Sequence, residues 1–253
     1  MNIPTLEAML QAGVHFGHQV SRWHPKMKPF IFTERNKVHI IDLEKTQEEL
    51  EKTLAAVARM AAEGKKILFV TTKPQAKEIV REAAIRCGMP YLVDRWVGGL
   101  LTNFDEIKKL LKKYTKLKEE TESGEIERYT KKEQLDMARE LEKMDAMLKG
   151  LVDLTVLPDA IFIPAMQREK TAVIEANKLH VPIIAVCDTN ANPDKAAHII
   201  PANDDAVNAI RMMVDLVADA AAEGVKEAAK EAAKAPAPKV AEEKKTDVAE
   251  KKA

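Results

Sequence analysis

The sequence predicts an open, doubly wound α/β fold with a parallel sheet of about five strands. Its apolar segments are short, unbroken runs that alternate with helix-length amphipathic stretches. Ile67-Leu68-Phe69-Val70, Ala160-Ile161-Phe162-Ile163 and Ile183-Ile184-Ala185-Val186 lack polar alternation, as strands buried on both faces of a parallel sheet do. Tyr91-Leu92-Val93 and Ile199-Ile200 read as two shorter strands. Helices between the strands supply the crossovers that parallel pairing requires. With 253 residues, 46% of them hydrophobic, the chain can fill the core of such a domain.

Taken in order, residues 4–10 begin a short helix that Thr5 can cap and Gly13 ends. Phe30-Ile31-Phe32 and Val38-His39-Ile40-Ile41 flank the polar run from Thr33 to Lys37, which predicts a hairpin outside the main sheet. Residues 42–63 carry Leu43, Leu50, Leu54, Val57 and Met60 at helical spacing, with Gly64 where a C-terminal cap belongs. Residues 74–87 read as a helix closed by Gly88, residues 168–179 as another, and residues 204–222 as the last.

Residues 104–150 interrupt the alternation. Ile107, Leu110, Tyr114 and Leu117 recur at heptad-like steps, as do Met137, Leu141, Met144, Leu148 and Leu151, with Glu122-Ser123-Gly124-Glu125 between the two runs. An inserted antiparallel helical coiled-coil hairpin is expected, its first arm of roughly 18 residues reaching about 27 Å. Residues 1–46 then form an N-terminal helix, basic extended segment and hairpin, and residues 47–103 and 151–222 form the α/β core. Residues 223–253 form an Ala/Lys/Glu-rich tail, with 223–234 as a helical extension and 235–253 disordered.

The 40 basic and 40 acidic residues cancel, but they are unevenly placed. Residues 1–103 hold 15 Lys/Arg against 11 Asp/Glu, whereas residues 151–220 hold 5 against 10. The basic half is the candidate face for RNA, and the acidic half is left to solvent or protein. Cys87 and Cys187, a hundred residues apart in apolar or helical sequence, suit buried reduced thiols in the cytosol. No apolar run has the length of a membrane span, and no secretory or transit signal is recognisable, so the chain is expected to stay where it is made.

Residues 15–36 mix cations, aromatics, histidines and prolines more densely than any other stretch. Arg22, Lys26, Lys28 and Arg35 can neutralise phosphates, while Trp23, Phe30 and Phe32 offer flat faces for stacking or for anchoring the segment to its own domain. Pro25 and Pro29 are expected to keep it extended, and so polar a stretch is expected to gain order on binding. His15, His18 and His24 have metal-like spacing, but the nearby sequence lacks cysteine and has few carboxylates to complete a site, so no metal is assigned.

Arg95-Trp96-Val97-Gly98-Gly99-Leu100-Leu101-Thr102-Asn103 joins a cation and an indole to two glycines. Either the backbone approaches RNA or a protein strand closely there, or Trp96 plugs the core and the glycines turn the chain. The best enzymatic hint is Cys187-Asp188-Thr189-Asn190-Ala191-Asn192-Pro193-Asp194, directly after a buried strand. Asp188, Asn190 and Asp194 could serve an α/β enzyme acting on a small phosphorylated or cationic ligand, or could simply build turns. Asp204 and Asp205 suit the N-terminus of the last helix. Neither Gly-x-x-x-x-Gly-Lys-Ser/Thr nor Gly-x-Gly-x-x-Gly occurs, which argues against a nucleotide enzyme.

Six motifs, taken together and in order, resemble the family of small-subunit ribosomal protein number two, bacterial type. They are His15-Phe16-Gly17-His18, the run from Arg22 to Pro29, Ile40-Ile41-Asp42-Leu43, Arg95 to Phe104 around the paired glycines, Asp188-Thr189-Asn190, and Ile200 to Ala206. The resemblance covers about residues 3–218. It implies a flavodoxin-like α/β domain with a protruding helical hairpin, no catalysis and no cofactor. It also implies a structural role in the small ribosomal subunit in the cytoplasm, with small-subunit rRNA and other small-subunit proteins as partners, including the large first protein of that subunit. Neither a membrane nor a small-molecule substrate is implied. Carried over by position, Arg22, Trp23, Lys26, Lys28 and Arg35 would meet rRNA, with Arg95 and Asn103 beside them. The family usually has Gly where Thr71 stands and commonly Asp near Ala165, a departure at two strand ends.

Overall fold

A computed structural model describes residues 3–234, with side chains to residue 230. Five parallel strands form the main sheet in the order β5-β4-β6-β7-β8. They are β4 (Ile67–Val70), β5 (Tyr91–Leu92), β6 (Ala160–Ile163), β7 (Ile183–Cys187) and β8 (His198–Pro201). Pairing runs Leu68 to Ile161, Phe162 to Ile184 and Ala185 to Ile199. Period-two alternation divides these strands between two cores. Phe69, Phe162, Ile184 and Ile200 face one layer, and Leu68, Val70, Ile161, Ile163 and Cys187 face the other.

The first layer is built by α1 (Leu6–Ala12), α2 (Leu43–Ala62), α3 (Lys77–Cys87) and α7 (Val207–Lys234). Thr5 caps α1 by accepting from the Ala8 N–H at 3.2 Å, and Gly13 ends it in the left-handed region. Asp42 caps α2, whose Leu50, Leu54 and Val57 are buried as their spacing predicts. Thr46 and Thr53 of α2 donate to the carbonyls of Pro201 and Ile199, at 2.6 and 3.3 Å, lacing that helix to β8. Helix α3 begins three residues later than expected, because residues 74–76 form a turn that precedes it. The expected extension over residues 223–234 is the continuous end of α7. The reading of residues 235–253 lies outside the described residues.

The second layer holds α6 (Lys170–Lys178), buried Trp96, and the base of α4 (Phe104–Glu122) and α5 (Lys131–Leu148). These two helices meet through a Lys113–Glu140 ion pair at 2.5 Å and a hydrogen bond from Tyr114 Oη to Asp145 at 2.6 Å. Burial raises the Tyr114 hydroxyl pKa, and the Asp145 bond raises it further. Thr130 and Glu133 form a reciprocal capping box at the start of α5. Leu111 is buried although it stands outside the expected apolar seam, and Leu110 is only half-buried.

The predicted hairpin is β2 (Ile31–Arg35) and β3 (Val38–Ile41), turned through Asn36 and Lys37 at φ 53° and 62°. It is separate from the main sheet, as its position predicts, and gains a third strand, β1 (Phe16–Gln19), against β3. That strand has a polar middle and only one large apolar residue, so period-two patterning did not mark it. No described helix is long and apolar enough to cross a membrane.

Candidate functional site

The basic segment is not extended. Residues Val20–Arg22 and Pro25–Phe30 are turns of 3-10 helix. Pro25 opens the second with the fixed φ that suits a first helical position, and His24 caps it by accepting from the Lys26 N–H at 3.3 Å. The segment is also packed against its own domain. Met27 is fully buried, Phe30 packs on the second core, and the His24 N–H donates to the Thr189 carbonyl at 2.8 Å. These apolar and backbone anchors tie the segment to the strand ends and to the second core.

The anchoring leaves the cations outside. Arg22, Lys28 and Arg35 are exposed, and Lys26 is paired with Asp194. The Trp23 ring lies half-buried, tilted 49° against His39 at 5.4 Å. Phe32 is 73% exposed and offers the open aromatic face of the group. Arg95 and Asn103 are also exposed, on the segment that leads into α4. The structure thus collects the N-terminal residues on one segment and sets Arg95 and Asn103 on another element.

Between Arg95 and Asn103 the chain turns on Glu175, a residue the sequence did not single out. One carboxylate oxygen accepts from Trp96 Nε1 and the Gly99 N–H, both at 2.9 Å. The other accepts from the N–H groups of Leu101 and Thr102 and from the Thr102 hydroxyl, at 3.2 to 3.3 Å. Burial pushes the Glu175 carboxyl pKa up, but this fan of donors outweighs it and holds the value below normal. Trp96 is therefore a core residue, and the paired glycines serve an internal turn.

The strand ends hold the main charge cluster. His18 Nδ1 lies 3.0 Å from Asp188 Oδ2, and its Nε2 lies 3.4 Å from Asp205. Lys73 bridges Asp204 at 3.1 Å and Asp205 at 2.6 Å. The bond to Asp188 raises the His18 pKa against the effect of burial. Burial pushes the Asp204 carboxyl up to about 6, and the Asp188 charge adds to this. Gly17 must be small here, because a Cβ would sit 2.6 Å from the Thr189 methyl and 3.0 Å from the His39 carbonyl oxygen.

His18, Asp188 and Asp204 place one ligand atom each within 4.8 Å of one another and form the one such group among the described residues. Of the three histidines of the basic segment only His18 joins it, and the sequence near them, with few carboxylates, did not point to these partners. The acids come from strand ends about 170 to 190 residues further along the chain, where local spacing cannot reveal them. Lys73→Met is expected to cost about 2 kcal/mol at pH 7, below the usual penalty for a broken buried pair because Asp204 can take up a proton. Asp204, with its folded pKa raised above the unfolded value of about 3.9, favours the fold at low pH and loses that contribution as pH rises through about 6. The variant's deficit should accordingly shrink between pH 7.5 and 5 in urea titrations.

The cluster does not make an enzyme site. Asp188 is 1% exposed and spends its oxygens on His18, Thr189 and the Asp204 N–H. Asp194 faces away toward Lys26, so the proposed pair does not converge. The topological switch between β4 and β6, where such folds usually take ligands, is closed by Glu169. Its carboxylate accepts from the Thr72 N–H and hydroxyl at 2.5 and 2.8 Å.

A switch point bridged by Glu169, buried and mutually paired carboxylates, and a cationic segment fixed on the core define an α/β protein whose strand-end acids are built into its own structure. Comparison with known proteins agrees. The family model for ribosomal protein S2 matches residues 9–224. Small ribosomal subunit protein uS2 of Coprothermobacter proteolyticus (strain ATCC 35245 / DSM 5265 / OCM 4 / BT) is 50% identical over 220 residues, which cover 87% of this chain and 82% of that protein. The chain belongs to the ribosomal protein S2 family.

Proposed function

We propose that the chain is a constituent of the small ribosomal subunit in the cytoplasm, holding rRNA through the basic N-terminal segment and contacting neighbouring ribosomal proteins, among them the large first protein of the subunit. The observation that carries the rRNA reading is the exposure of Arg22, Lys28 and Arg35 on a segment whose own anchors, Met27 and Phe30, are packed into the core. A backbone held by packed anchors lowers the entropy cost of presenting these cations to phosphates. Trp23 and Lys26 complete the segment, and Arg95 and Asn103 form a second contact. Specificity then comes from the shape of the RNA, with phosphate contacts setting position.

The test is the salt dependence of binding to small subunits stripped of this chain. The triple variant Arg22→Gln, Lys28→Gln, Arg35→Gln should bind more weakly, and the slope of log K against log salt should flatten by about 2 to 3. An unchanged slope would remove the segment from the interface.

A further inference from the structure

We infer that the groove between α4 and the chain returning from α5 docks an acidic amphipathic helix of a neighbouring protein. This rests on the reading above that the chain contacts other small-subunit proteins, and it names a surface and a partner chemistry for one such contact. Residues 108–119 of α4 supply one wall of the groove and residues 152–155 the other. The α4 wall runs about 16 Å at 1.5 Å per residue, three turns of helix, and the groove holds about 350 Å³. A groove of that length takes a row of side chains from successive turns of a partner helix.

Its lining is aliphatic where the partner's apolar face would lie. Leu111 and Leu154 line it and are nearly buried, whereas Val152 is 41% exposed. Val156 and Leu157 follow in the chain at 59% and 40% exposed. Aliphatic side chains left open together beside a groove mark a surface for a partner.

The charges on the groove say what that partner carries. Lys108, Lys112 and Lys116 recur every fourth residue along the α4 wall, against a single acid, Glu119, at its far end. Like charges stacked in this way cost a helix stability. On the rest of α4 such charges are answered, Lys109 by Glu106 at 2.6 Å and Lys113 by Glu140 at 2.5 Å. In the groove they are not. Lys108 and Lys112 form no ion pair among the described residues, the Lys108 ammonium resting 5.0 Å from the Phe104 ring, and Lys116 reaches only Glu120, at 3.7 Å. Carboxylates on a docked helix complete this row, and its apolar face covers the valines and leucines. Phosphates would answer the lysines but leave the aliphatic strip open, and no aromatic side chain lines the groove for a base to stack on.

Two measurements test this. In the first, small subunits are reconstituted with the full chain carrying the photo-crosslinker p-benzoylphenylalanine in place of exposed Glu119. The expected product joins it to a small-subunit protein through a segment with acidic and apolar residues at helical spacing. Its yield should fall roughly tenfold with Lys112→Glu/Lys116→Glu, because like charges then face each other across the contact. Val152→Asp, which changes the other wall, should lower it as well. All three positions are exposed or half-exposed, and unchanged urea midpoints would tie the losses to the groove. A crosslink to rRNA, to a protein segment without acidic residues, or to nothing overturns the inference. If the chain does not enter the subunits, the ribosomal reading itself fails, and the second measurement decides the groove alone. In that one, the free full chain is titrated with a synthetic helix bearing leucines along one face and glutamates beside them, or with its twin in which lysines replace the glutamates, while the methyl groups of Leu111 and Val152 are followed by NMR. A saturable shift at least tenfold weaker with the lysine twin supports the inference, and equal shifts or none overturn it.

Discussion

Glu175→Ala is expected to lower folding stability by about 4 kcal/mol, the range for removing one partner from a buried, charged hydrogen-bond set. The glutamate is 8% exposed and accepts five hydrogen bonds from the turn between Trp96 and Thr102. Alanine leaves the Trp96 indole and three backbone N–H groups to compete for partners inside the second core. Glu175→Gln should cost less, about 2 kcal/mol, because an amide keeps one acceptor oxygen but turns its NH₂ toward existing donors. Because the folded pKa is depressed, the wild-type stabilisation is present above the unfolded value of about 4.3 and is lost as pH falls through the folded value. Urea unfolding at pH 7 and pH 3.5 checks both points: the gap between wild type and Glu175→Ala should narrow at the lower pH. A gap of equal size at both pH values would mean that packing, not charge, fixes the turn.

Gly150→Ala should cost about 3 kcal/mol, the upper part of the range for overpacking. A Cβ at Gly150 would lie 2.3 Å from the Tyr91 carbonyl oxygen and 2.5 Å from its ring. The ring can move, but the carbonyl belongs to β5, which pairs with β4 at the sheet edge. Relief therefore means displacing either that strand or the exit from α5. Glycine's extra chain entropy, worth about 1 kcal/mol or less when replaced by alanine, does not offset such a clash. The expected signature is a lower urea midpoint together with faster amide exchange at Tyr91 and Leu92. A midpoint equal to wild type would show that the return from α5 is free to shift.

Both residues fix the helical pair to the sheet, Glu175 at its entrance and Gly150 at its exit. Neither function could be read from local sequence. Glu175 sits in a helix like any other exposed-face glutamate, and its partners lie more than seventy residues upstream. Gly150 lies between Lys149 and Leu151, inside the second heptad run, with nothing to mark a backbone crossing.

Where the physics is local, the sequence was legible. The three unbroken apolar runs became β4, β6 and β7, and Thr5, Gly13 and Gly88 mark helix ends as expected. The enclosing helices followed from the same periodicity. Where the physics is tertiary, it was not. Asp188 looked like a catalytic carboxylate because it follows a buried strand, yet it is occupied by His18, which reaches it from β1. Pro25 and Pro29 suggested extension, but a proline is equally at home in the first turn of a helix, and buried Met27 decided between them. The cationic residues were recognisable by type. Their exposure depended on which aromatics the core would claim, and Phe30 was claimed while Phe32 was not.

The most direct measurement is the distribution of the native chain across a sucrose gradient of cell lysate at low and high salt. Scaffolding through phosphate contacts predicts co-migration with small subunits and whole ribosomes at low salt, weakening as salt rises. A chain found almost entirely in the free-protein fractions under both conditions would contradict it.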